Sequence, residues 1–212
     1  MSVEGRTVVI AGATSAAGLA VARALVSAGA RVIATGRSRE RLTALADAGA
    51  DVAVTDATSF ADMTDLAAEV GRVDGVIPLV GGWRGGGGLA GQSDEDFDAL
   101  LPALQAARAT SRAFDLSLQA SDAGRFAIVS STAVARPLAG GANYAAVKAA
   151  SEAWARAVAH GFAKSAKNTG EPLRAASVVF RATALDPDSL AGAVLGLWDA
   201  DAAALNDRVI EL

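Results

Sequence analysis

The chain has 212 residues, enough for one domain with a full core, and a formal net charge of −4, so a broad nucleic-acid surface is not expected. With no cysteine and one histidine, His160, disulfides, iron–sulfur clusters, thiolate zinc sites, cysteine nucleophiles and multi-histidine metal centres are excluded. A Ser–His–Asp triad would need His160, which falls inside a predicted helix away from any serine elbow, and no uninterrupted apolar run reaches the length of a membrane span.

A buried strand is predicted at residues 7–11 (TVVIA), a short apolar run closed by glycine. Residues 15–28 carry helical periodicity up to Gly29, and 31–35 (RVIAT) form a second strand. Ser38 caps a helix that runs to Ala48 ahead of Gly49. A strand at 51–55 and a helix at 59–70, ended by Gly71, come next. The fourth strand is predicted at 73–80, a long helix at 93–120, the fifth strand at 125–130 and a second long helix at 143–167. A strand at 173–180, a helix at 187–198 and a last strand at 205–212 complete the chain. This alternation with short connections predicts an α/β fold, a doubly wound parallel sheet of about seven strands with helices on both faces. Residues 1–212 are read as a single domain, since no linker, charge run or short repeat interrupts them. The N-terminus lacks the basic-then-apolar pattern of a signal peptide, so a cytoplasmic protein is expected. Sixteen arginines against three lysines point to a GC-rich bacterial genome.

The first strand runs into Gly12, a turn and a helix start. This is the geometry in which backbone amides and the positive end of a helix dipole meet a dinucleotide pyrophosphate, as in a Rossmann fold. Gly12 makes the tight turn and Gly18 allows close helix–strand packing. The second strand ends without an acid, at Thr35-Gly36-Arg37-Ser38-Arg39. Arg37, with Ser38 and Arg39, suits a 2′-phosphate through a planar, charge-assisted fork. That favours NADP(H), with NAD(H) as the alternative. Tyr144, the only tyrosine, stands four residues before Lys148, so the two share one helix face.

Gly12-x-x-x-Ala16-x-Gly18 resembles the G-x-x-x-G-x-G loop of the short-chain dehydrogenase/reductase family, with alanine at the middle glycine. The family's serine lies thirteen positions before its tyrosine, which here gives Ser131, with Ser130 as the neighbouring fallback. The resemblance spans nearly the whole chain. It implies Ser131, Tyr144 and Lys148 as catalytic residues, with Ser131 and Tyr144 on the substrate. It implies Gly12, Thr14, Ser15, Ala16, Ala17 and Gly18 around the pyrophosphate, Arg37 and Ser38 at the adenosine ribose, and Asp56 at the adenine edge; capping of the following helix is the other role open to Asp56. Val80, Gly81, Tyr144, Lys148 and Thr183 would border the nicotinamide end. The chemistry suits the pair: a phenol with an ordinary pKa of about 10 exchanges its proton poorly near neutrality, and a neighbouring ammonium stabilises the phenolate. No metal is implied.

Three family features are altered. The fourth strand ends Pro78-Leu79-Val80-Gly81 where the family has N-N-A-G. The following helix lacks the relay asparagine, and Gln105 is the expected partial substitute. The sixth strand lacks the Pro-Gly that precedes a substrate-covering insertion, so the lid is expected to be short and the site open.

Seven of the eleven residues from 81 to 91 are glycine. One expectation is a flexible surface loop. The other is that Val80-Gly81-Gly82-Trp83, which is similar to the equivalent loop of dihydropteridine reductases, places Trp83 against a planar substrate. The expected function is therefore NADP(H)-dependent hydride transfer to a small-molecule carbonyl or conjugated-ring substrate. A catalytically quiet NADP-binding sensor or partner-binding protein is the rival, and a dehydratase or epimerase on the same fold is the third reading. The family implies a homodimer or homotetramer paired through the two long helices, with Trp154 either in that contact or in the core.

Overall fold

Side chains along the first strand, β1 (Thr7–Ala11), divide the molecule into two cores. Val8 and Ile10 join one cluster with Val21, Leu25, Leu42 and Val194, while Val9 and Ala11 join another with Met63, Leu66, Ala106 and Phe114. This two-residue alternation is what a strand buried on both faces requires. The computed structural model describes residues 2–212. Its other strands are β2 (Arg31–Gly36), β3 (Asp51–Val54), β4 (Gly75–Pro78), β5 (Arg125–Ser131), β6 (Ala176–Ala182) and β7 (Arg208–Glu211). They form one seven-stranded sheet in the order β3-β2-β1-β4-β5-β6-β7, with every pairing parallel.

The helices α1 (Ala16–Ser27), α2 (Arg39–Asp47) and α7 (Pro187–Leu195) cover one face. The other face is covered by α3 (Phe60–Val70), α4 (Asp94–Ala113), α5 (Asp115–Ala120) and α6 (Ala142–Thr169). The short α8 (Ala202–Leu205) precedes β7. Ser15, Ser38, Ser59, Ser93 and Asp186 each accept a backbone N–H in the first turn of the helix that follows, so the starts of α1–α4 and α7 are set by side-chain caps. No helix among the described residues is long and apolar enough to cross a membrane.

The predicted elements recur with local differences. The helix expected over 93–120 is two helices, because Phe114 (φ −103°, ψ 6°) turns the chain and buries its ring completely. The turn lets Ser117 accept the Val73 amide at 2.7 Å. The fourth strand is shorter than 73–80 and the sixth is shifted towards its C-terminal end, to Ala176–Ala182. The strand expected at 205–212 begins only at Arg208, after α8 and the left-handed Asp207 (φ 65°).

At the N-terminal edge of the sheet, Arg125 is fully buried. Its guanidinium donates to the carbonyls of Leu197 (2.6 Å), Gly124 (2.8 Å), Ala200 (2.9 Å) and Arg174 (3.1 Å). One side chain thereby ties the segment after α7 to β5 and the entrance of β6. Replacing it with an apolar residue strands buried carbonyls. Arg125→Met is expected to cost about 3–5 kcal/mol of unfolding free energy, read as a lower urea midpoint; a loss within about 0.5 kcal/mol would show that the carbonyls find other partners.

Candidate active site

The turn after β1 is held against β2: the Gly12 amide donates to Thr35 Oγ1 at 3.2 Å and the Ala13 amide to the Thr35 carbonyl at 2.8 Å. Gly12 has φ 80°, and a Cβ there would collide with the Val80 side chain at the end of β4. A Cβ on Gly18 would strike the Ala13 carbonyl, so the start of α1 can press on the turn only because Gly18 has no side chain. Ser15 caps the helix by accepting the Gly18 amide. The first amides of α1, those of Ala16 and Ala17, have no helical acceptor, and both residues line the adjoining cavity.

From this turn the crevice opens between β1 and β4, where the strand order reverses direction. Pro78 contributes to the opening. It pairs with Ala11 on β1, but the β4–β5 ladder ends at Val76–Phe126, so the missing amide of the proline breaks no bond. The backbone still follows β1, with the Leu79 amide donating to the Ala11 carbonyl at 2.8 Å. A cavity of about 1020 Å³ results. It brings together Ser15, Ala16, Ala17, Val80, Gly81, Trp83, Ser131, Tyr144, Lys148 and Thr183, all expected from the sequence. Gly12, Thr14, Gly18, Arg37, Ser38 and Asp56 lie outside its lining.

Ser131 ends β5, and Tyr144 and Lys148 stand one turn apart on α6. Ser131 Oγ accepts the Ala133 amide at 3.2 Å, which leaves its hydrogen free for a ligand. Ser130 is not interchangeable with it, because its hydroxyl donates to Glu152 Oε1 at 2.7 Å. Lys148 Nζ donates to the Val129 carbonyl at 2.8 Å and lies 5.7 Å from the centre of the Tyr144 ring. Burial pushes its pKa down to about 8, and the charge of Glu152 opposes that fall. Glu152, four residues further along α6, is itself buried and receives Arg181 Nε at 2.8 Å and Nη2 at 2.6 Å. Burial raises its pKa, but the hydrogen bonds from Arg181 and Ser130 outweigh burial and hold the carboxyl below its ordinary range.

Trp83 is 61% exposed on the cavity wall. The glycine-rich segment that carries it is pinned in place. The Gly86 amide donates to the Gly140 carbonyl at 2.7 Å, and a Cβ on Gly85 would collide with that same carbonyl. Gln92 fastens the arrangement: Nε2 reaches the carbonyls of Gly86, Gly88 and Gly140 at 3.0–3.2 Å, and Oε1 accepts the Asn143 amide at 3.1 Å, one residue before Tyr144. Asn143 Nδ2 returns a bond to the Ser93 carbonyl. The expectation of a flexible loop gives way to a strap fixed to the start of the helix that bears Tyr144. Gln92 has no sequence signal, since it works through backbone carbonyls.

Gln105 does not take the relay position expected of it. It is exposed on α4, outside the cavity, and Ala103 is the residue that faces Gly81 beside Lys148 Nζ. The phase of α4 turns Gln105 to solvent while Ala106 and Ala107 are buried. Asp56 folds back on Thr58, accepting its amide (2.9 Å) and hydroxyl (2.8 Å), and Ser59 rather than Asp56 caps α3. Arg37 and Arg39 are exposed with no carboxylate in ion-pair range among the described residues, and Ser38 is engaged as the cap of α2. Arg41, unmarked in the sequence, reaches the Thr14 carbonyl at 3.3 Å. Thr183 exchanges a hydroxyl hydrogen bond with Thr132 at 3.0 Å. His160 is exposed on α6 and Thr183–Pro187 leads into α7 without a lid helix. Trp154 bonds Ser111 at 2.8 Å and stacks under Arg108, an intramolecular contact between α6 and α4.

The family model described as short chain dehydrogenase matches residues 6–167. The curated 3-oxoacyl-(acyl-carrier-protein) reductase FabG of Salmonella typhimurium is 31% identical over 156 residues, which cover 70% of this chain and 64% of that protein; FabG of Salmonella typhi matches equally. The match thus spans less than two thirds of the relatives' length. Among solved structures, a metagenomic short-chain oxidoreductase in complex with NADP is 26% identical with a TM-score of 0.81, over 98% of this chain and 96% of that one. A short chain dehydrogenase/reductase family protein at 24% identity shares the fold with a TM-score of 0.83, over 100% and 97% of the two chains.

With only three lysines in the chain, the Lys148 assignment can be read directly. In carbon-13 NMR of labelled lysine, one resonance is expected to titrate near pH 8, to vanish in Lys148→Met, and to titrate at lower pH in Glu152→Gln, because that change removes the negative charge that favours the ammonium. A resonance that is lost in Lys148→Met yet titrates at the ordinary lysine value would contradict the burial of Nζ.

Proposed function

The chain belongs to the short chain dehydrogenase family, and on that footing we propose that it is an NADP(H)-dependent oxidoreductase that reduces a carbonyl or conjugated-ring substrate, with residues 1–212 acting as one NAD(P)-binding domain. The observation that carries this is the convergence of Ser131, Tyr144 and Lys148 on one cavity with the turn residues Ser15–Ala17. The turn fits a dinucleotide: Gly12 and Gly18 keep the backbone bare, and Ser15, Ala16 and Ala17 at the start of α1 line the cavity, where a helix N-terminus suits a pyrophosphate. The exposed Arg37 makes no close ion pair among the described residues, although its charge helps to lower the Asp56 pKa, and its fork fits a 2′-phosphate and supports NADP(H) over NAD(H). The related oxidoreductase structure with NADP supports the same choice.

When bound, the nicotinamide supplies the hydride to the substrate carbon. Tyr144 donates its phenolic proton to the substrate oxygen. Ser131 keeps its hydroxyl hydrogen and uses it in a hydrogen bond to that oxygen, which fixes its position. Lys148, anchored on the Val129 carbonyl, stabilises the phenolate left behind. With Ala103 in place of a polar relay group, the proton returns to Tyr144 through Lys148 and solvent in the open cavity. Trp83 offers a face for a planar substrate. Pairing of copies through α4 and α6, as a homodimer or homotetramer, and a cytoplasmic location belong to the same proposal.

The missing relay residue favours one rival, a catalytically quiet NADP-binding protein. Tyr144→Phe separates the two. We expect it to lower turnover of NADPH with a carbonyl substrate by about 100-fold or more while leaving NADPH binding in place; equal turnover in the variant removes Tyr144 as the acid. Titrations that follow tryptophan energy transfer to the reduced nicotinamide are expected to give NADPH at least about ten-fold tighter binding than NADH, and Arg37→Glu to reverse that order. A wild type that prefers NADH would falsify the role given to Arg37.

A further inference from the structure

Arg136 is the one charged residue of the cavity wall that the proposed reaction does not use. It lies five residues after Ser131 and eight before Tyr144, in the segment that joins β5 to α6. It makes no side-chain hydrogen bond and no ion pair among the described residues. No aspartate or glutamate lines the cavity, although acids outnumber bases in the chain by 23 to 19. Lys148 is the only other charged group there, and its hydrogen bond to Val129 holds it at the inner end.

Arg136 shares the cavity lining with hydroxyl side chains such as Ser131, Thr132 and Thr183 and with several apolar ones. Trp83 (61% exposed), Leu138 (70%) and Leu185 (39%) are exposed large hydrophobic side chains, and all three line the cavity. Exposed apolar surface of this kind gains from covering by a ligand. An arginine without a protein partner that lines the same cavity as these groups offers a fork that matches two oxygens of a carboxylate or phosphate.

Resting on the reductase reading above, we propose that the substrate is an anionic carbonyl compound: its carbonyl oxygen meets Ser131 and Tyr144, its apolar or aromatic body covers Trp83, Leu138 and Leu185, and a carboxylate or phosphate at its far end is held by Arg136. Arg136 sets specificity and takes no part in proton or hydride transfer.

The test is a matched set of planar aldehydes with NADPH: para-formylbenzoate, para-formylphenyl phosphate and methyl para-formylbenzoate. Wild-type kcat/KM is expected to favour one or both anions over the neutral ester by about ten-fold or more, and which anion leads identifies the terminal group. In Arg136→Met the anion-to-ester ratio collapses towards one, in Arg136→Lys it is partly kept, and in Arg174→Met, a surface arginine at the opposite edge of the sheet, it stays as in the wild type. A wild-type ratio near one, or one unchanged by Arg136→Met, overturns the anion site while the reductase reading stands. If NADPH binds but no aldehyde is reduced, the reductase reading fails, and calorimetric titration of the NADP-loaded protein with para-hydroxymethylbenzoate and its methyl ester decides the anion site. Acid-selective binding that Arg136→Met removes upholds it, and binding of neither or of both alike overturns it.

Discussion

A parallel sheet must return its chain across a face after every strand, and the structure depends on where that return changes sides. After β1 the chain crosses through α1 on one face; after β4 it crosses through α4 on the other. No helix can cover the gap between the carboxyl ends of these two neighbours. The bare turn at Gly12, the early end of the β4–β5 ladder at Pro78 and the emergence of Ser131 from β5 all occur along that edge. The helix that brings Tyr144 and Lys148 to it is fixed by packing below, where Ala155 and Phe162 sit in the core.

Holding an ammonium at that edge has an electrostatic cost, and the fold offsets it in layers. Lys148 is nearly buried, so desolvation works against its charge. The Val129 carbonyl gives it one acceptor, and the carboxylate of Glu152 lies behind it on the same helix. Glu152 is in turn held as an anion by the fork of Arg181 and the hydroxyl of Ser130. This network joins β5, β6 and α6. A buried pair of this sort contributes little net stability; its effect is to fix the relative position of three elements beside the cavity that Ser131, Tyr144 and Lys148 line. The ordinary hydrophobic layers on either side of the sheet supply the stability that such an arrangement lacks.

The strands and the alternation of elements were legible because their signals are local: short apolar runs bounded by glycine, and helical periodicity that stops at a glycine, with Ser38 as a cap. Ser131, Tyr144 and Lys148 were legible because spacing along one helix and the end of one strand is a one-dimensional property. What could not be read depends on three-dimensional partners. Phe114 looks like an interior helix position until the core claims its ring. Gln105 was assigned by counting, but the phase of α4 turns it to solvent and sets Ala103 beside Gly81 instead. Arg136 and Gln92 sit in segments without periodicity; their positions follow from the folding of two distant loops against each other.

The strap over the cavity reverses the usual relation between loops and sequence variation. Surface connections ordinarily accept substitutions freely, because their side chains project into water. Here the contacts run between backbone groups, Gly86 to Gly140, with the Gly85 position closed to any side chain and one glutamine spanning both segments. What selection can act on is therefore the absence of side chains. Along the line of descent of this protein the strap should drift more slowly than the exposed face of α2, and an inserted residue there would be harder to accommodate than a changed one on that helix.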